Sequence, residues 1–546
     1  MVDDTEAPPP AVDADLSEIA RRVQRRAAEL MTTTDRLTVL DPKFVRQCLD
    51  NNERGDGCMY ATIHRGRFLY NVTPKDGEWY VWTGNVWERD EFRRAKEAVE
   101  ACAVQYETQA RSLADEIREK GISKGHPEQR LLRLRSDYSD RAKRLRSTSG
   151  VAKALDWAPI VAPEMAVRES DFDNQPWLLP CANGVIDLKT GALIQGRPED
   201  LLTRTIQVEY DPRAEYDEWL NIVEEICDCK EVAAFLKRSF GYAITGHSFE
   251  QYIWVFTGPG RNGKGTLFDL IGDILGPYYH EISRAMLIEQ RNEQSPSAAS
   301  EHKYSLLGKR IIVGAETNKG QKIDASAIKS LTGEDRINCR PLFKQEIVFK
   351  PTHTLFLHTN HVPIGLTKDF ALIQRLLKVE FPWMYVDDPE AEAKKTPLFA
   401  DRFRKKDPFL KDRLRKIKPG ILRWLVEGCR EWQEIGLKPP QSILDGVRNL
   451  AKDEDYVGQF IDDCLTGWAD NPDCRMSCTR MYDAFRWWWA MNMDGREQRV
   501  PSMKGINAAI RERGIKVEKQ GGKTWIFGHT LSISIEEDVD EWLKKR

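Results

Sequence analysis

The sequence predicts an α/β core, with a mixed α+β region on its N-terminal side and a winged-helix-like region on its C-terminal side. Three observations carry this prediction. The apolar run 252–256 enters the glycine-rich stretch 258–266, and a helical pattern of apolar residues follows it. Two later segments have the pattern of core strands: the apolar run 311–313, which has the pattern of a buried parallel strand, and the segment 354–360. Near the C-terminus, three helical patterns precede two short strand patterns that two glycines join.

The composition is that of an ordinary soluble globular chain. Of its 546 residues, 41% are hydrophobic and 31% are charged, a length for roughly three or four domains. The sequence contains no run of ~18 apolar residues, so no transmembrane helix is predicted. The N-terminus lacks the pattern of a secretory signal. We therefore expect a cytoplasmic protein with no membrane partner. The eleven cysteines are scattered, which favours reduced structural thiols. The formal net charge of −3 gives no overall sign of nucleic-acid binding, so any DNA contact must come from local basic surfaces.

Composition and pattern divide the chain into segments. Residues 1–35 form an acidic, proline-rich arm that is expected to be disordered. The others are a small α+β domain with charged helices and no readable role (36–170), a hairpin with a helical lead-in (171–250), the core (251–385), a basic helical segment (386–450) and the winged-helix-like domain (451–546).

Two features of the N-terminal part have alternative interpretations. The tryptophans of the strand patterns in 78–87 could stack on bases, but such residues more often form the core of a small domain. Asp171 and Asp173 form an Asp-x-Asp pair of the kind with which primase–polymerases hold metal. No further acidic and histidine set accompanies the pair, so a loop is favoured.

In the core, three histidines at 353, 358 and 361 could suggest a metal site, but 358 and 361 are expected to point to opposite faces of a strand.

The stretch 258–266 has the pattern of a phosphate-binding loop. Its members are Gly258, Pro259, Gly260, Arg261, Asn262, Gly263, Lys264, Gly265 and Thr266. Its glycines let the backbone turn tightly and point N–H groups at an anion, and the positive end of the following helix adds to that field. Lys264 would reach the β- and γ-phosphates as a point charge. Since a strand precedes the loop and a helix follows it, we predict nucleotide binding.

One position of this loop departs from the usual pattern. The residue after the lysine is normally Ser or Thr, whose hydroxyl ligates Mg²⁺, and here it is Gly265. Thr266 is the nearby substitute and therefore the candidate magnesium ligand.

Three polar residues stand near the ends of the core patterns. Glu316 follows the strand 311–313, where a carboxylate can organise a Mg²⁺ shell and polarise a water; a surface glutamate is the alternative. Asn360 ends the predicted strand 354–360, and its amide can hydrogen-bond both a γ-phosphate and a water. Arg375 follows a short helical pattern and could stabilise a transferring phosphate across a subunit boundary, unless it is a plain ion-pair residue.

An ordered set of motifs runs from about 171 to about 440. Its members are 183–191 (Asn-Gly-Val-Ile-Asp-Leu-Lys-Thr-Gly), 258–264, Ala315-Glu316, 328–333, Thr359-Asn360, Gln374-Arg375 and 419–428. This set resembles the superfamily 3 helicases, and within these it is most similar to the C-terminal half of phage and plasmid primase-helicases and their poxvirus relatives. Family members often carry Ser or Thr at the position of Gly265 and a second arginine at that of Gln374.

The resemblance implies an α/β P-loop NTPase core of the AAA+-like type. The family assembles as a ring, commonly a hexamer, with ATP between subunits and a hairpin that draws single-stranded DNA through the channel. By position, the resemblance implies that Lys264 and Thr266 bind phosphate and Mg²⁺ and that Glu316 activates the water. It implies that Asn360 senses the nucleotide and that Arg375 is an arginine finger acting on a neighbouring subunit. The residues implied to contact DNA are Lys329, Arg340 and Lys344.

The C-terminal helices and strands predict a winged helix in which 503–513 is the recognition-type helix. DNA contact and protein docking are both open there. The basic candidates are Lys504, Arg511, Arg513, Lys516 and Lys519.

The sequence therefore favours a ring-forming replicative DNA helicase of a phage or mobile element, driven by ATP and Mg²⁺ and acting on forked duplexes. The resemblance implies 3′ to 5′ translocation, and phage origin would place the protein in the cytoplasm of a bacterial host. A bifunctional primase-helicase with its primase in 36–170 is one alternative. The other is an ATP-binding switch that recognises an origin or recruits a partner without processive unwinding. A separate primase or loader would be a partner in the helicase case.

Overall fold

The computed structural model describes residues 40–289, 301–314, 322–340, 346–360, 362–363, 366–367, 369–467, 474–492 and 500–545. The predicted disordered arm, Glu316, His361 and Lys344 lie outside these residues. The described chain forms two compact units. One runs to Asn174 and includes Arg197–Thr203, and the other takes Gln175–Gly196 and everything from Arg204 onward.

The first unit packs helices against a small sheet. Its elements are α1 (Pro42–Asp50), α2 (Asn52–Ile63), β1 (Phe68–Asn71), β2 (Glu78–Trp82), β3 (Trp87–Arg89), α3 (Arg94–Glu97), α4 (Glu100–Glu119), α5 (Arg130–Leu145), α6 (Thr148–Val161) and β4 (Ala166–Val167). The sheet order is β3-β2-β1-β4, with β4 parallel to β1 and the other pairs antiparallel. The predicted strands and the two long charged helices, α4 and α5, are present.

Of the three tryptophans of this sheet, Trp87 is buried and Trp79 and Trp82 are half-buried. Trp87 is only 1% exposed, and its indole N–H donates to the carbonyl of Pro198 at 2.9 Å. The ring of Trp82 packs against it with centroids 5.3 Å apart. This burial agrees with the core interpretation, because a fully buried ring cannot offer a face to a base.

The acidic pair at the end of the first unit satisfies local backbone groups. Asp171 accepts from the N–H of Arg168 at 2.8 Å. Asp173 accepts from the N–H of Thr203 at 2.8 Å and from its hydroxyl at 2.6 Å. Among the residues that the structure describes, no group of three or more His, Cys, Asp or Glu could hold a metal ion. Both carboxylates therefore shape a loop, as the sequence favoured.

The second unit is built around a parallel sheet. Its first part contains β5 (Leu178–Cys181), β6 (Gly184–Asp187), β7 (Ala192–Ile194), α7 (Asp217–Cys227), α8 (Lys230–Ala243), β8 (Ile253–Thr257), α9 (Lys264–Leu275), β9 (Tyr279–Ile282), α10 (Glu301–Tyr304), β10 (Ile311–Gly314), α11 (Ala325–Thr332), β11 (Ile337–Cys339), β12 (Ile347–Phe349), β13 (Thr354–His358), α12 (Phe370–Ile373) and β14 (Leu376–Glu380). The parallel sheet has the order β14-β8-β13-β10-β9, and β5, β6 and β7 form an antiparallel meander.

The central strand β8 is buried on both faces. Trp254 and Phe256 belong to one core cluster, and Ile253 and Val255 belong to the cluster on the other face. This alternation explains why the sequence shows a continuous apolar run and not a polar–apolar repeat.

Helix α8 crosses the long helix α15 (Lys418–Ile435) at two glycines. A Cβ at Gly241 would lie 2.1 Å from the N of Cys429, and one at Gly428 would lie 2.1 Å from the O of Lys237. The backbones can therefore approach only because both positions lack a side chain. The predicted helical lead-in is in fact two helices, because Asp228 adopts a left-handed conformation (φ 52°) between α7 and α8.

The rest of the unit is helical with a small C-terminal sheet. It comprises β15 (Met384–Val386), α13 (Pro389–Lys395), β16 (Phe403–Lys405), α14 (Leu410–Lys416), α15 (Lys418–Ile435), α16 (Gln441–Glu454), α17 (Tyr456–Cys464), β17 (Leu465–Gly467), β18 (Arg475–Ser477), α18 (Cys478–Asn492), α19 (Met503–Glu512), β19 (Val517–Gln520), β20 (Lys523–Phe527), β21 (His529–Leu531) and α20 (Ile533–Lys544). The predicted strand pair is present as the antiparallel β19–β20 hairpin, to which β18 adds a third strand.

Candidate nucleotide site

The glycine-rich loop joins β8 to α9 at the carboxyl edge of the parallel sheet. The neighbours of β8 are β13 on one side and β14 on the other. Ligands of open α/β sheets bind in the crevice outside this edge, so the fold places the loop where a ligand can reach it.

Two glycines of the loop adopt conformations that other residues rarely take. Gly258 has φ 140° and Gly263 has φ 87°. A Cβ at Gly258 would lie 2.2 Å from the O of Phe381, and one at Gly263 would lie 2.8 Å from Cγ2 of Ile226. Glycine is required at both positions by backbone conformation and by close approach. The turn delivers the chain into α9, whose first residue is Lys264.

Lys264 is buried, with only 1% of its surface exposed. Its Nζ donates to the carbonyl of Gly258 at 3.1 Å and to Oδ1 of Asn360 at 3.2 Å. Both acceptors are neutral dipoles, and a phosphate oxygen can exchange with them at the ammonium group. A cation held at a helix N-terminus beside glycine N–H groups is suited to bind a polyphosphate.

Asn360 is brought to the loop by the pairing of β13 with β8. The N–H of Thr359 donates to the carbonyl of Phe256 at 3.0 Å, which extends that pairing by one residue. The Nδ2 of Asn360 lies 4.0 Å from the point that a Cβ on Gly260 would occupy. The amide therefore reaches the lysine with its oxygen and the loop opening with its nitrogen, and the structure brings together two predicted site residues 96 positions apart.

The back of the loop rests on the chain that follows β14. We call residues 381–385 the strap. The carbonyl of Phe381 accepts from Nδ2 of Asn262 at 3.5 Å, and the N–H of Tyr385 donates to the carbonyl of Arg261 at 2.7 Å. Arg261 has φ 61° without being glycine, so this bond stabilises an unfavourable backbone conformation.

Helix α7 holds the strap from the other side. The carbonyl of Glu225 accepts from the indole N–H of Trp383 at 2.9 Å, and its carboxylate accepts from the hydroxyl of Tyr385 at 2.8 Å. Burial raises the pKa of the Tyr385 hydroxyl, and the neighbouring Glu225 raises it further, so this hydroxyl remains a donor. Arg404 stacks on Trp383 with its Cζ 3.6 Å from the ring centroid. The strap was not predicted from the sequence, where its signal is the aromatic-rich run directly after a core strand.

The residue after the lysine faces open space. A Cβ at Gly265 would meet nothing within 4 Å, so packing does not require a glycine there. Thr266 occupies the third position of α9 and is half-buried. Its hydroxyl is of the ligand type that Mg²⁺ accepts, so the residues present fit a magnesium–nucleotide complex. Glu316, the second predicted magnesium ligand, lies outside the described residues.

Arg375 does not join the loop. It immediately precedes β14, whose first residue, Leu376, pairs with Ile253 at the start of β8. The loop leaves the opposite end of β8, so the Arg375 backbone is about 20 Å from Gly258 along the strand. The guanidinium donates to the hydroxyl of Thr332 at 3.0 Å. Arg375 therefore does not serve the loop of its own chain in this conformation.

The predicted DNA contacts lie on α11 and on the hairpin that follows it. Lys329 forms an ion pair with Asp369, and its hydrogen bond lowers the pKa of that carboxyl. Arg340 is exposed at the end of β11. Strands β11 and β12 pair antiparallel, as the sequence predicted. Lys344, which the sequence places at the tip, is outside the described residues.

Three of the other basic and histidine candidates, Arg513, Lys516 and His353, have local partners. In the C-terminal domain, Arg513 pairs with Asp455 and Lys516 pairs with Glu518. His353 is 1% exposed and its Nε2 contacts the carbonyl of Leu331 at 3.1 Å. It is thus a core histidine.

Comparison with known families gives two matches. Residues 59–240 match the family described as "D5 N terminal like". Residues 256–375, which hold the loop, Asn360 and Arg375, match a family of unknown function, DUF5906.

The chain is also similar to proteins of large DNA viruses. "Putative helicase L207/L206" of Acanthamoeba polyphaga mimivirus is 26% identical over 83% of this chain and 47% of that protein. "Putative helicase 022R" of Frog virus 3 is 23% identical over 59% and 39%. "Putative primase C962R" of African swine fever virus is 24% identical over 44% and 26%. The chain spans less than half the length of these relatives. Together the matches support a relationship to a primase–helicase family.

Among solved structures, the C-terminal region of NrS-1 in its A-form apo structure is similar to this chain. The identity is 11% and the TM-score is 0.40, over 86% of this chain and 98% of that one.

No helix in the part of the chain described above is long and apolar enough to cross a membrane.

Proposed function

We propose that the chain is an ATP-dependent DNA helicase of replication, of the superfamily 3 type and with an AAA+-like core. The observation that carries the proposal is the buried ammonium of Lys264 between the carbonyl of Gly258 and the amide of Asn360. A cation at a strand–loop–helix junction, at the N-terminus of a helix and beside glycine N–H groups, is suited to bind the phosphates of a nucleotide. The names of the viral relatives point to helicase and primase activity.

The order of the parallel strands supports the AAA+-like part of this proposal. Counted along the chain, the strands of the sheet lie in the order 5-1-4-3-2. The loop-bearing first strand thereby stands between the fourth, which ends two residues before Asn360, and the fifth, which begins after Arg375. This arrangement is expected of an AAA+-like core, in which a polar residue beside the loop contacts the γ-phosphate and an arginine lies at the opposite end of the sheet.

The cofactors in this proposal are ATP and Mg²⁺. Bound ATP supplies the phosphoryl group and its negative charge. Lys264 and the loop N–H groups bind that charge, and Asn360 orients a water or the terminal phosphate through its amide. Thr266 and Glu316 would hold the metal ion, which would neutralise phosphate charge, and Glu316 would also polarise the attacking water.

Each ATP would lie between two copies of the chain. Because Arg375 lies at the far end of its own sheet, it can act only on a loop of another copy. We propose a closed ring, a hexamer by resemblance, that moves 3′ to 5′ on single-stranded DNA. Arg340 and Lys344 on the β11–β12 hairpin contact the DNA; Lys329, already paired with Asp369, is the weakest of the three proposed contacts.

A primase–helicase is the second candidate, because one relative is named as a primase. In that case residues 36–170 would contain the priming site, and the protein would synthesise primers from ribonucleotides on single-stranded DNA. The third candidate is a switch that binds ATP without unwinding DNA. The absence of a hydroxyl at Gly265 supports this candidate, because a magnesium ligand used in hydrolysis is missing from its usual position. A separate primase or loader is a partner in both helicase and switch cases.

Unwinding of a forked duplex tests the proposal. The wild-type chain should unwind the fork only with ATP and Mg²⁺, and Lys264→Ala should lose both nucleotide binding and unwinding. Lys309→Ala is a matched control, since Lys309 is a partly buried lysine of the same unit that donates to the carbonyl of Pro277. ATP binding without unwinding on any fork would reject the helicase and leave the switch.

A further inference from the structure

The C-terminal end of α11 is tied twice to the segment that carries Arg375. Arg375 Nη1 donates to the hydroxyl of Thr332 at 3.0 Å and to the carbonyl of Lys329 at 3.4 Å. The ammonium of Lys329 pairs with Asp369. Asp369 in turn caps α12, because its Oδ1 accepts from the N–H of Ala371 at 2.9 Å. Two side chains of one short helix thus fix both ends of the segment 369–375.

The first tie is buried and directional. Thr332 is 3% exposed, and its hydroxyl donates to the carbonyl of Ile328 at 2.9 Å. With its proton engaged there, the oxygen is oriented to accept from Arg375. A hydrogen bond from a charged donor to a buried hydroxyl is among the stronger side-chain contacts.

The same helix leads into the proposed DNA-contacting hairpin. Strand β11 begins at Ile337, and only residues 333–336 separate it from α11. Leu331 of α11 and Ile337 of β11 belong to one hydrophobic cluster, which also contains Leu372 of α12. A shift of the hairpin is therefore transmitted to α11 and to α12 by packed side chains.

We propose that Thr332 and Asp369 are positioning residues that set the guanidinium of Arg375 according to the state of the hairpin. Single-stranded DNA on the hairpin fixes α11, α11 fixes Arg375, and Arg375 then promotes hydrolysis in the adjacent copy. This inference rests on the proposed function, in which Arg375 acts on a neighbouring subunit.

ATP hydrolysis by the full chain, with and without an oligothymidylate strand, tests the inference. Thr332→Val keeps the shape but removes the acceptor, and it should lower the DNA-stimulated kcat about tenfold while the KM for ATP stays unchanged. Thr332→Ser keeps the hydroxyl and should restore the stimulation. Asp369→Asn should weaken the stimulation in the same direction, because it loosens the cap of α12 and leaves the charge of Lys329 beside the guanidinium.

A matched control lies at the base of the same hairpin. Glu334 pairs with Lys350 at 3.5 Å, and neither residue is bonded to the segment 369–375, so Glu334→Gln should leave the stimulation intact. A merely structural role would lower the unfolding temperature of Thr332→Val and not separate kcat from KM.

The outcomes are distinct. Full DNA stimulation of Thr332→Val and Asp369→Asn, or a rise in their rates, would overturn the inference. If Thr332→Val did not fold, Asp369→Asn, a change at a half-exposed side chain, would decide in the same assay. A wild-type ATPase that DNA does not stimulate would reject the coupling alone. A wild-type chain that binds no ATP would reject the proposed function as well.

Discussion

Two glycines of the loop, Gly263 and Gly265, should respond in opposite ways to the same substitution. At Gly263 the backbone has φ 87°, and a new Cβ would lie 2.8 Å from Cγ2 of Ile226. At Gly265 the backbone is helical and a Cβ would meet nothing within 4 Å. Ala at the first position therefore introduces strain, and Ala at the second introduces none.

The size of the effect follows from these two geometries. A left-handed conformation costs a residue with a Cβ about 1–2 kcal/mol, and overpacking against Ile226 adds about 1 kcal/mol. The free loop can relax to avoid this strain, but nucleotide binding must restore the loop conformation in which the backbone N–H groups face the phosphates. Gly263→Ala should therefore weaken ATP binding by about 2–3 kcal/mol, or roughly 30- to 150-fold. Gly265→Ala should stabilise the fold by about 0.4–1 kcal/mol through the unfolded chain.

Titration with a fluorescent ATP analogue measures the affinities, and urea unfolding measures the stabilities. Gly265→Ala should bind within about threefold of the wild type, since a threefold change is only about 0.7 kcal/mol. Equal affinity for the wild type and Gly263→Ala would refute the reasoning from backbone strain. An equal loss of ATP affinity in both variants would show that the flexibility of the loop, and not its backbone conformation, controls binding.

Three further predictions concern other positions. Asn360→Ala should lower the kcat for ATP hydrolysis about a hundredfold while the nucleotide affinity changes little, as steady-state assays with separate binding titrations would reveal. Gly428→Ala should destabilise the fold by about 1–3 kcal/mol in urea unfolding, since its Cβ would lie 2.1 Å from the carbonyl of Lys237; no loss would contradict the close helix crossing. Burial lowers the pKa of His353 from its ordinary 6.5 to about 4, so the unfolded chain binds more protons between these values. The free energy of unfolding should fall by about 3 kcal/mol as the pH drops from 6.5 to 4, and a His353→Gln variant with the same pH dependence as the wild type would argue against this origin.

The local parts of the site could be predicted from the sequence. A continuous apolar run, a glycine-rich turn and a helical repeat are adjacent in the chain, so the strand β8, the loop and α9 follow from neighbouring residues alone. The amide at Asn360 could be named because a strand end that follows a buried apolar run is a local feature too. Its hydrogen bond to Lys264 required the additional fact that β13 pairs with β8.

Contacts that depend on sheet order or on tertiary packing could not be predicted. The strap binds the loop because β14 lies beside β8, an adjacency that no local pattern encodes. Helix α14 is strongly basic, a composition that suits a surface following a phosphate backbone. In the structure Arg415 pairs with Asp273 of α9 at 3.1 Å, and Lys411 pairs with Asp269. Charge patterns reveal a basic surface but not the acidic partner that another helix supplies.

The adjacency of β8 and β14 has a last consequence for the proposed ring. Parallel pairing places Arg375 and the loop at opposite ends of two neighbouring strands, so in the proposed ring one chain would supply only half of a hydrolytic site. Lys264→Ala lacks the loop half and Arg375→Ala lacks the finger half, and each should be inactive alone. Mixed in equal amounts before assembly, they should recover roughly a quarter of the wild-type ATP hydrolysis, because a heterologous interface pairs an intact loop with an intact arginine in one arrangement of four. The double variant mixed with wild type controls for assembly itself. No recovery in the mixture, with both variants shown to assemble, would place the stimulating charge elsewhere in the chain.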